Sequence, residues 1–285
     1  MAETTRDIKR RIRGISNTKQ ITKAMELVSS AKLKRARERL ERSRPYYETV
    51  LHNIGEILAT TGNMKHPLLD TREVKSSLYI VIAADRGLAG GYNGGVIRLA
   101  EKRIREQNKD AKIIVVGSKA RDYFTKRHYN VVGQFVGISE EPQFSDAREI
   151  GSLAMDLYKN KEVDEINLVY TMFKGTISQV PNVIKLLPSN EVSGEKKERR
   201  TITEFEPSPE EVLGYLIPKY IQSSIYGALI EASSSEQAAR RVAMEAATDN
   251  AEEMIDELNI SYNRARQAAI TMEITEIVSG ADALK

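Results

Sequence analysis

The chain has 285 residues, 29% charged and 41% hydrophobic, and its 43 Lys and Arg against 40 Asp and Glu give a net charge of +3. The length allows one or two domains, and the absence of cysteine excludes disulfide scaffolds, cysteine zinc sites and thiol catalysis. Residues 1–44 carry 14 basic and 5 acidic side chains, so positive charge is concentrated near the N-terminus.

The N-terminal stretch lacks targeting and membrane-spanning signals. No run of 18 apolar residues occurs, and residues 1–13 have no apolar core like that of a signal peptide. Glu3 and Asp7 also argue against a transit peptide. We therefore expect a protein on the cytosolic side, without direct membrane insertion.

Residues 1–62 predict one long helix. Residues 1–44 contain one glycine and no proline, and apolar or small residues recur there at steps of three and four, with Lys32 as the interruption. The pattern resumes after Pro45 and stops at 61–63. The predicted stripe before Pro45 comprises Ile8, Ile12, Ile15, Thr18, Thr22, Met25, Val28, Ala36 and Leu40.

Residues 63–206 predict a small Rossmann-like α/β domain. Apolar strands at 78–83 and 112–117 are each followed by a helix-compatible stretch, at 95–107 and 118–127, which favours a parallel sheet. A third helix is predicted at 146–160, a strand at 165–173, and an antiparallel partner strand at 177–187. A charged connection follows at 193–200.

Residues 207–285 predict a second long helix, which starts at the cap 207–210 and contains Pro218 as a kink or as the true start. Its stripe is narrow and rich in alanine, and it includes Val242, Ala246 and Met254. Two long helices with narrow apolar faces are best covered by each other. The predicted fold is therefore an α+β composite, an antiparallel coiled coil of the two terminal helices with the α/β domain inserted.

A glycine-rich turn at 85–95 follows the first predicted strand. Its glycines never form G-x-G-x-x-G, and Val96 and Ile97 stand where a phosphate loop needs Lys and a hydroxyl. We interpret the turn as a tight structural connection, with no cofactor bound.

Enzyme chemistry has no support in the pattern either. His52, His66 and His128 lack a metal-ligand spacing, and no G-x-S-x-G elbow occurs. The acidic pairs at 140–141, 210–211 and 252–253 are interpreted as solvated turns or helix faces. We predict no catalytic residues and no metal.

The basic first helix is open to three interpretations. Its clusters at 9–13 and 32–44 suit nucleic-acid phosphates, a solvated outer face, or acidic protein partners.

Four segments decide among these interpretations: 16–28, 85–93, 235–250 and 262–281. They closely resemble the γ subunit of F-type ATP synthases, of the bacterial type, and the resemblance extends over the whole chain. It implies a rotor shaft in the central stalk. Such a shaft couples rotation of the membrane c-ring, driven by the proton gradient, to sequential conformational changes of the catalytic β subunits, in synthesis or in reverse as hydrolysis.

The resemblance also implies partners and a location. The partners are the α and β subunits of the catalytic ring, the ε subunit and the c-ring, and nucleic acid is not among them. The chain would be a peripheral, non-catalytic subunit on the cytoplasmic face of the bacterial plasma membrane. It lacks the cysteine-containing insertion of chloroplast relatives, so thiol control is not expected.

Several side chains match contact positions of the family. Those near the acidic lever loops of β are Thr22, Lys23 and Met25; those facing a second β loop are Arg266, Gln267, Thr271 and Glu273; Arg240 is coupled to both, and Phe205 belongs to the foot. Beyond the paired helices, the C-terminal end should form an apolar tip with Ile270, Met272, Ile274, Ile277, Val278, Ala281 and Leu284.

The alternative from another class is a coiled-coil nucleic-acid-binding protein with a basic N-terminal arm. It predicts steeply salt-dependent binding and leaves the C-terminal segments unexplained.

Overall fold

Long helices lie at both ends of the chain, as the sequence predicts. The computed structural model describes residues 4–61, 72–107, 110–188 and 208–282. Helix α1 (Thr5–Thr61) has 57 residues and α5 (Pro209–Asp282) has 74. The chain divides into two compact units, a helix-pair unit (residues 1–29 and 241–285) and a sheet unit (residues 30–240). The domain boundaries at 62/63 and 206/207 stay a prediction.

The sheet unit contains a five-stranded mixed sheet in the order β3-β2-β1-β4-β5. The strands are β1 (Ser76–Ile82), β2 (Asp110–Val116), β3 (Asn130–Phe135), β4 (Glu165–Phe173) and β5 (Gln179–Leu187). The pairs β1–β2, β1–β4 and β2–β3 are parallel, and β5 is antiparallel to β4. The connecting helices are α2 (Tyr92–Gln107), α3 (Ser118–Lys126) and α4 (Phe144–Lys159).

Both faces of the central strand β1 are buried. Leu78, Ile80 and Ile82 of β1 face a core shared with α1, α4 and α5, whereas Tyr79 and Val81 face a core shared with α2 and α3. Because successive side chains of a strand point to opposite faces, a strand covered on both sides must be apolar throughout. This explains why β1 and β2 were recognisable as continuous apolar runs.

The sequence prediction missed β3. This strand lies at an edge of the sheet, none of its six residues is fully buried, and it contains Gly133. A Cβ at Gly133 would lie 2.6 Å from Leu153 Cδ2, so glycine permits the close approach of α4. A half-exposed edge strand with an internal glycine has no apolar run to reveal it.

Both terminal helices continue through an internal proline, Pro45 in α1 and Pro218 in α5. The suggestion that Pro218 is the true start of α5 is wrong, because the helix begins at Pro209. There the hydroxyl oxygen of Ser208 accepts a hydrogen bond from the Glu211 backbone N–H at 3.3 Å. Serine before a first-turn proline is a favourable helix start. The side chains of Leu213, Ile217 and Ile221 on either side of Pro218 are buried, and this packing keeps the segment helical.

In the helix-pair unit, buried and half-buried positions recur at alternating steps of four and three, and we call these positions the seam. On α1 the seam comprises Ile8, Ile12, Ile15, Lys19, Thr22, Glu26 and Ser29; on α5 it comprises Met244, Thr248, Ala251, Ile255, Leu258, Tyr262 and Ala265. Thr22 Oγ1 lies 2.8 Å from Thr248 Oγ1, and Lys19 Nζ lies 2.9 Å from Glu252 Oε1. Residue numbers rise along one helix as they fall along the other, so this contact is antiparallel.

The predicted apolar stripes differ from the seam at several positions. Val28 and Met254 are 54% and 46% exposed, and Thr18 and Ala246 are also exposed. The seam repeats every seven residues, or 3.5 residues per turn, and it includes polar residues whose stems are buried. An apolar stripe predicted at the 3.6-residue period of a straight helix therefore departs from the seam along each helix.

Candidate functional site

Thr22 lies in the seam and is only 8% exposed. Its hydroxyl contacts Thr248 and donates to the Lys19 carbonyl oxygen at 3.0 Å. Its nearest polar partners are therefore in the chain itself.

The next two predicted contact residues are more accessible. Lys23 is exposed, and its ammonium lies 3.0 Å from Glu26 Oε2. Met25 is half-buried, and Ile21 and Leu27 beside it are each 61% exposed. This turn of α1 presents apolar side chains with a neutralised charge pair.

The end of α5 presents a fully exposed surface. Every residue of 266–280 is exposed, including the predicted contact residues Arg266, Gln267, Thr271 and Glu273. The Thr271 hydroxyl donates to the Gln267 carbonyl oxygen at 3.0 Å, within the helix. The apolar members are Ile270, Met272, Ile274, Ile277 and Val278, with exposures of 48% to 66%. The side chains of Ala281 and Leu284 lie outside the described residues.

Arg240 is buried in the sheet unit. Its guanidinium lies 2.7 Å from Glu236 Oε1 and donates to the Gly87 carbonyl oxygen at 3.2 Å. Burial raises the pKa of Glu236, although Arg240 acts in the opposite direction. Arg240 thus ties α5 to the glycine-rich turn.

The same part of α5 occupies the end of the sheet where doubly wound folds bind ligands. In such folds the crevice lies at the carboxyl ends of the strands, where the strand order reverses. Here the Tyr92 hydroxyl donates to the Ala232 carbonyl oxygen at 3.1 Å, and the Ser235 hydroxyl donates to the Thr171 carbonyl oxygen at 3.0 Å. Residues 232–240 of α5 therefore contact the turn after β1 and the end of β4.

The Asp85 carboxylate occupies the N-terminal end of α3. It accepts backbone N–H bonds from Ser118 and Gly137 at 2.9 Å and from Ser139 at 3.1 Å. Burial alone would raise the pKa of Asp85, but the hydrogen bonds from these backbone donors together lower it by more. The net shift of the pKa is therefore downward. A helix N-terminus that already holds a carboxylate offers little to a phosphate.

Of the acidic residues at 140–141, which were predicted to be solvated, Glu141 is exposed as predicted, whereas Glu140 is half-buried and paired with α1. Glu140 Oε2 lies 2.6 Å from Lys32 Nζ, and Glu141 Oε1 lies 3.9 Å from Arg39 Nη2. The 140–141 segment thus faces part of the basic helix α1. Its carboxylates neutralise positive charge on α1 that could otherwise bind nucleic-acid phosphates. Lys34 and Arg35 remain exposed.

Sequence reasoning missed Thr248, Glu252 and Glu236 as partners. The signals were present as the seven-residue spacing of the seam and the i,i+4 spacing of Glu236 and Arg240.

The predicted foot residue Phe205 lies outside the described residues. Within the described ranges, no group of three or more His, Asp or Glu side chains is arranged to hold a metal, and no helix there is long and apolar enough to cross a bilayer.

Comparison with known proteins decides the family. A family model described as ATP synthase matches residues 4–284. The ATP synthase gamma chain of Alkaliphilus metalliredigens is 57% identical over 284 residues, which covers 98% of each chain. The chain belongs to the ATP synthase γ family. The γ chain of Acetobacterium woodii, described as sodium ion specific, is 48% identical over 302 residues and the full length of both chains.

Chains in solved structures of ATP synthases have a similar fold. A chain from the central stalk and c-ring of Tetrahymena thermophila mitochondrial ATP synthase is 29% identical, with a TM-score of 0.62, over 80% of this chain and 99% of that one. A chain of the Euglena gracilis mitochondrial enzyme has a TM-score of 0.67 at 20% identity, over 98% and 94%. The predicted relationship is confirmed. As a γ chain, the protein is a non-catalytic subunit that acts as the rotor of the central stalk.

Proposed function

We propose that the helix-pair unit turns inside a ring of α and β subunits, and that the sheet unit connects it to ε and the c-ring. The observation that carries this proposal is the α5 end at 266–280, exposed and apolar on a chain matched to the γ family over nearly its whole length. Exposed apolar patches of this kind mark surfaces that a partner covers.

We infer that the seam is a coiled coil. Both helices have a seven-residue repeat in which two positions, spaced four and three residues apart, are buried or half-buried. This is the pattern of left-handed supercoils. The Thr22–Thr248 and Lys19–Glu252 contacts support antiparallel pairing. Such a pair is stiffer than a single helix, and stiffness is what a shaft requires.

The coupling step needs no reactive group on the shaft. A shaft without rotational symmetry presents different side chains to each β subunit at any angle, so it biases each toward a different nucleotide affinity. We propose that Lys23, Met25 and Thr22 act near the β lever loops, and that Arg266, Gln267, Thr271 and Glu273 act at a second β loop. Arg240 would act indirectly, through its bond to the turn at Gly87.

The location follows from these partners. A chain attached to the c-ring would lie as a peripheral protein at the cytoplasmic face of the bacterial plasma membrane. The A. woodii γ chain is described as sodium ion specific, whereas we expected a proton gradient. The shaft transmits torque in either case.

The proposal is tested by mixing the full chain with α and β subunits of a bacterial ATP synthase. We expect a complex with one copy of the chain per ring, and rotation of a bead attached to the sheet unit during ATP hydrolysis. A complex assembled with a chain shortened to residues 1–265 should hydrolyse ATP but generate reduced torque. Failure of the full chain to join the ring would refute the proposal, and tight, salt-dependent binding to DNA instead would favour the nucleic-acid alternative.

A further inference from the structure

The sheet unit contains a cavity of about 660 Å³ between α1, α4, α5 and strands β4 and β5. Pockets that bind small molecules usually measure about 300 to 1,000 Å³. Five aromatic residues line it: Tyr46, Phe144, Tyr170, Phe173 and Tyr226. The size and lining suit an apolar ligand.

Gly227 lines the cavity in the interior of α5. Glycine inside a helix is less favourable than alanine. A Cβ at this position would meet no heavy atom of the described residues within 4 Å, so packing against them does not require glycine. Gly227 shares a helix face with Ser224 and Glu231, which also line the cavity, so a side chain there would reduce the open space.

Two polar side chains of α5, Lys219 and Ser223, belong to the cavity lining. Ser223 is 4% exposed, and its hydroxyl has no hydrogen-bond partner among the residues that the structure describes. Lys219 lies one turn away and is half-buried, with its ammonium 5.6 Å from the centroid of the Tyr215 ring. Among the described side chains, no carboxylate lies within 4.0 Å of this ammonium. A carboxylate entering the cavity would form a charge-assisted hydrogen bond with this ammonium.

The opposite end of the lining carries negative charge. Glu231 lies about 18 Å along the helix from Lys219. Its Oε1 accepts the backbone N–H of Phe173 at 3.0 Å. A bound anion would therefore lie near Lys219, and its apolar part would extend along the aromatic residues.

We propose that this cavity binds an amphipathic monocarboxylate with an extended apolar chain, of the medium-chain fatty-acid class. The carboxylate lies near Lys219 and Ser223, and the chain follows the face of α5 that includes Gly227. This site does not depend on the rotor role.

The test is calorimetric titration of the full chain with decanoate and with uncharged 1-decanol. We expect one saturable decanoate site, weakened at least tenfold by Gly227→Phe and less than threefold by the matched control Gly227→Ala. Lys219→Gln should weaken decanoate at least fivefold and leave decanol unchanged, whereas Lys126→Gln on α3 should change neither.

Thermal melting checks that each variant folds. The proposal is overturned if decanoate binding does not saturate, or if folded Gly227→Phe binds as the wild type does. It is also overturned if Lys219→Gln leaves the ratio of decanoate to decanol affinity unchanged. That last measurement does not rely on the Gly227→Phe variant.

Discussion

Arg240 combines a predicted role in coupling with a structural role inside its own unit. Arg240→Met should lower the free energy of unfolding by about 3 kcal/mol, because Glu236 is left buried without its cation. The double variant Arg240→Met/Glu236→Leu should recover most of this loss. Urea denaturation measures both, and Lys102→Gln at an exposed pair serves as the control. Equal stability of the single and double variants would mean that Glu236 does not depend on Arg240.

The Asp85 carboxylate gives the sheet unit a defined acid sensitivity. Its folded pKa lies below the usual value, so its stabilisation is present above the unfolded pKa of about 3.9 and is lost as pH falls through the folded pKa. Asp85→Asn should destabilise by about 1 to 2 kcal/mol at pH 7, a figure already reduced for partial solvent exposure. The difference from the wild type should shrink below about pH 4.

Chemical denaturation between about pH 3 and 7 measures this difference. Asp249→Asn, at an exposed helix position, is the matched control and should be neutral throughout. If the difference in unfolding free energy between Asp85→Asn and the wild type does not change with pH, the negative charge of Asp85 does not stabilise the turn.

Met25→Lys should impair coupling more than assembly. A new ammonium beside Lys23 would reach a carboxylate of an acidic β loop at some rotary angles only. It would deepen one angular state by about 1 to 3 kcal/mol and slow departure from it. The measurement is ATP-driven ion pumping relative to ATP hydrolysis in membranes carrying the variant, across a temperature range. Met25→Leu is the control, and an unchanged ratio for Met25→Lys would place Met25 away from that loop.

At the scale of single elements, the sequence predicts strands that are continuously apolar. It misses elements whose burial depends on contact with another element. β1, β2 and β4 were predictable because burial on both faces requires continuous apolar runs. The edge strand β3 and the seam were not, since Gly133 and Gln134 in the strand and Lys19 and Glu26 in the helix interrupt the apolar pattern. Their burial is decided by the partner element, which a local pattern cannot contain.

The two parts of α5 should differ in local stability. Residues 266–280 are exposed throughout, whereas most of residues 213–240 are buried. In the free chain, backbone amides of 266–280 should exchange with solvent much faster than those of 213–240, because only intrahelical bonds protect them.

Hydrogen exchange followed by mass spectrometry measures this difference. In the assembled complex, exchange at 266–280 should slow at least tenfold, while 213–240 changes little. Slow exchange at 266–280 in the free chain would contradict the idea that the catalytic ring orders this end.

At the scale of the whole molecule, the fold resembles nucleotide-binding proteins yet should bind no nucleotide. The crevice at the ends of β1 and β4 contacts α5, and Asp85 holds the N-terminus of α3. Equilibrium dialysis of the free chain with ATP, ADP and NAD should give no saturable binding at micromolar concentration. Saturable binding would overturn the structural interpretation of the glycine-rich turn.

The candidate site was only partly predictable from residues. The family resemblance indicated the positions at 266–273, which are exposed, but the matched positions Thr22 and Arg240 are buried against their own chain. A family position identifies where coupling is sensitive. It does not distinguish a side chain that contacts a partner from one that holds the contacting surface in place.

The internal prolines have a mechanical consequence. Each removes one backbone donor from its helix, so the ladder of hydrogen bonds is interrupted one turn before Pro45 in α1 and one turn before Pro218 in α5. Residues 5–29 and 241–282, by contrast, contain no proline. Under torque, elastic twist should therefore be greatest at the turns that precede Pro45 and Pro218. Those turns would be the compliant points of the shaft, and the paired residues 8–29 and 244–265 its stiffer part.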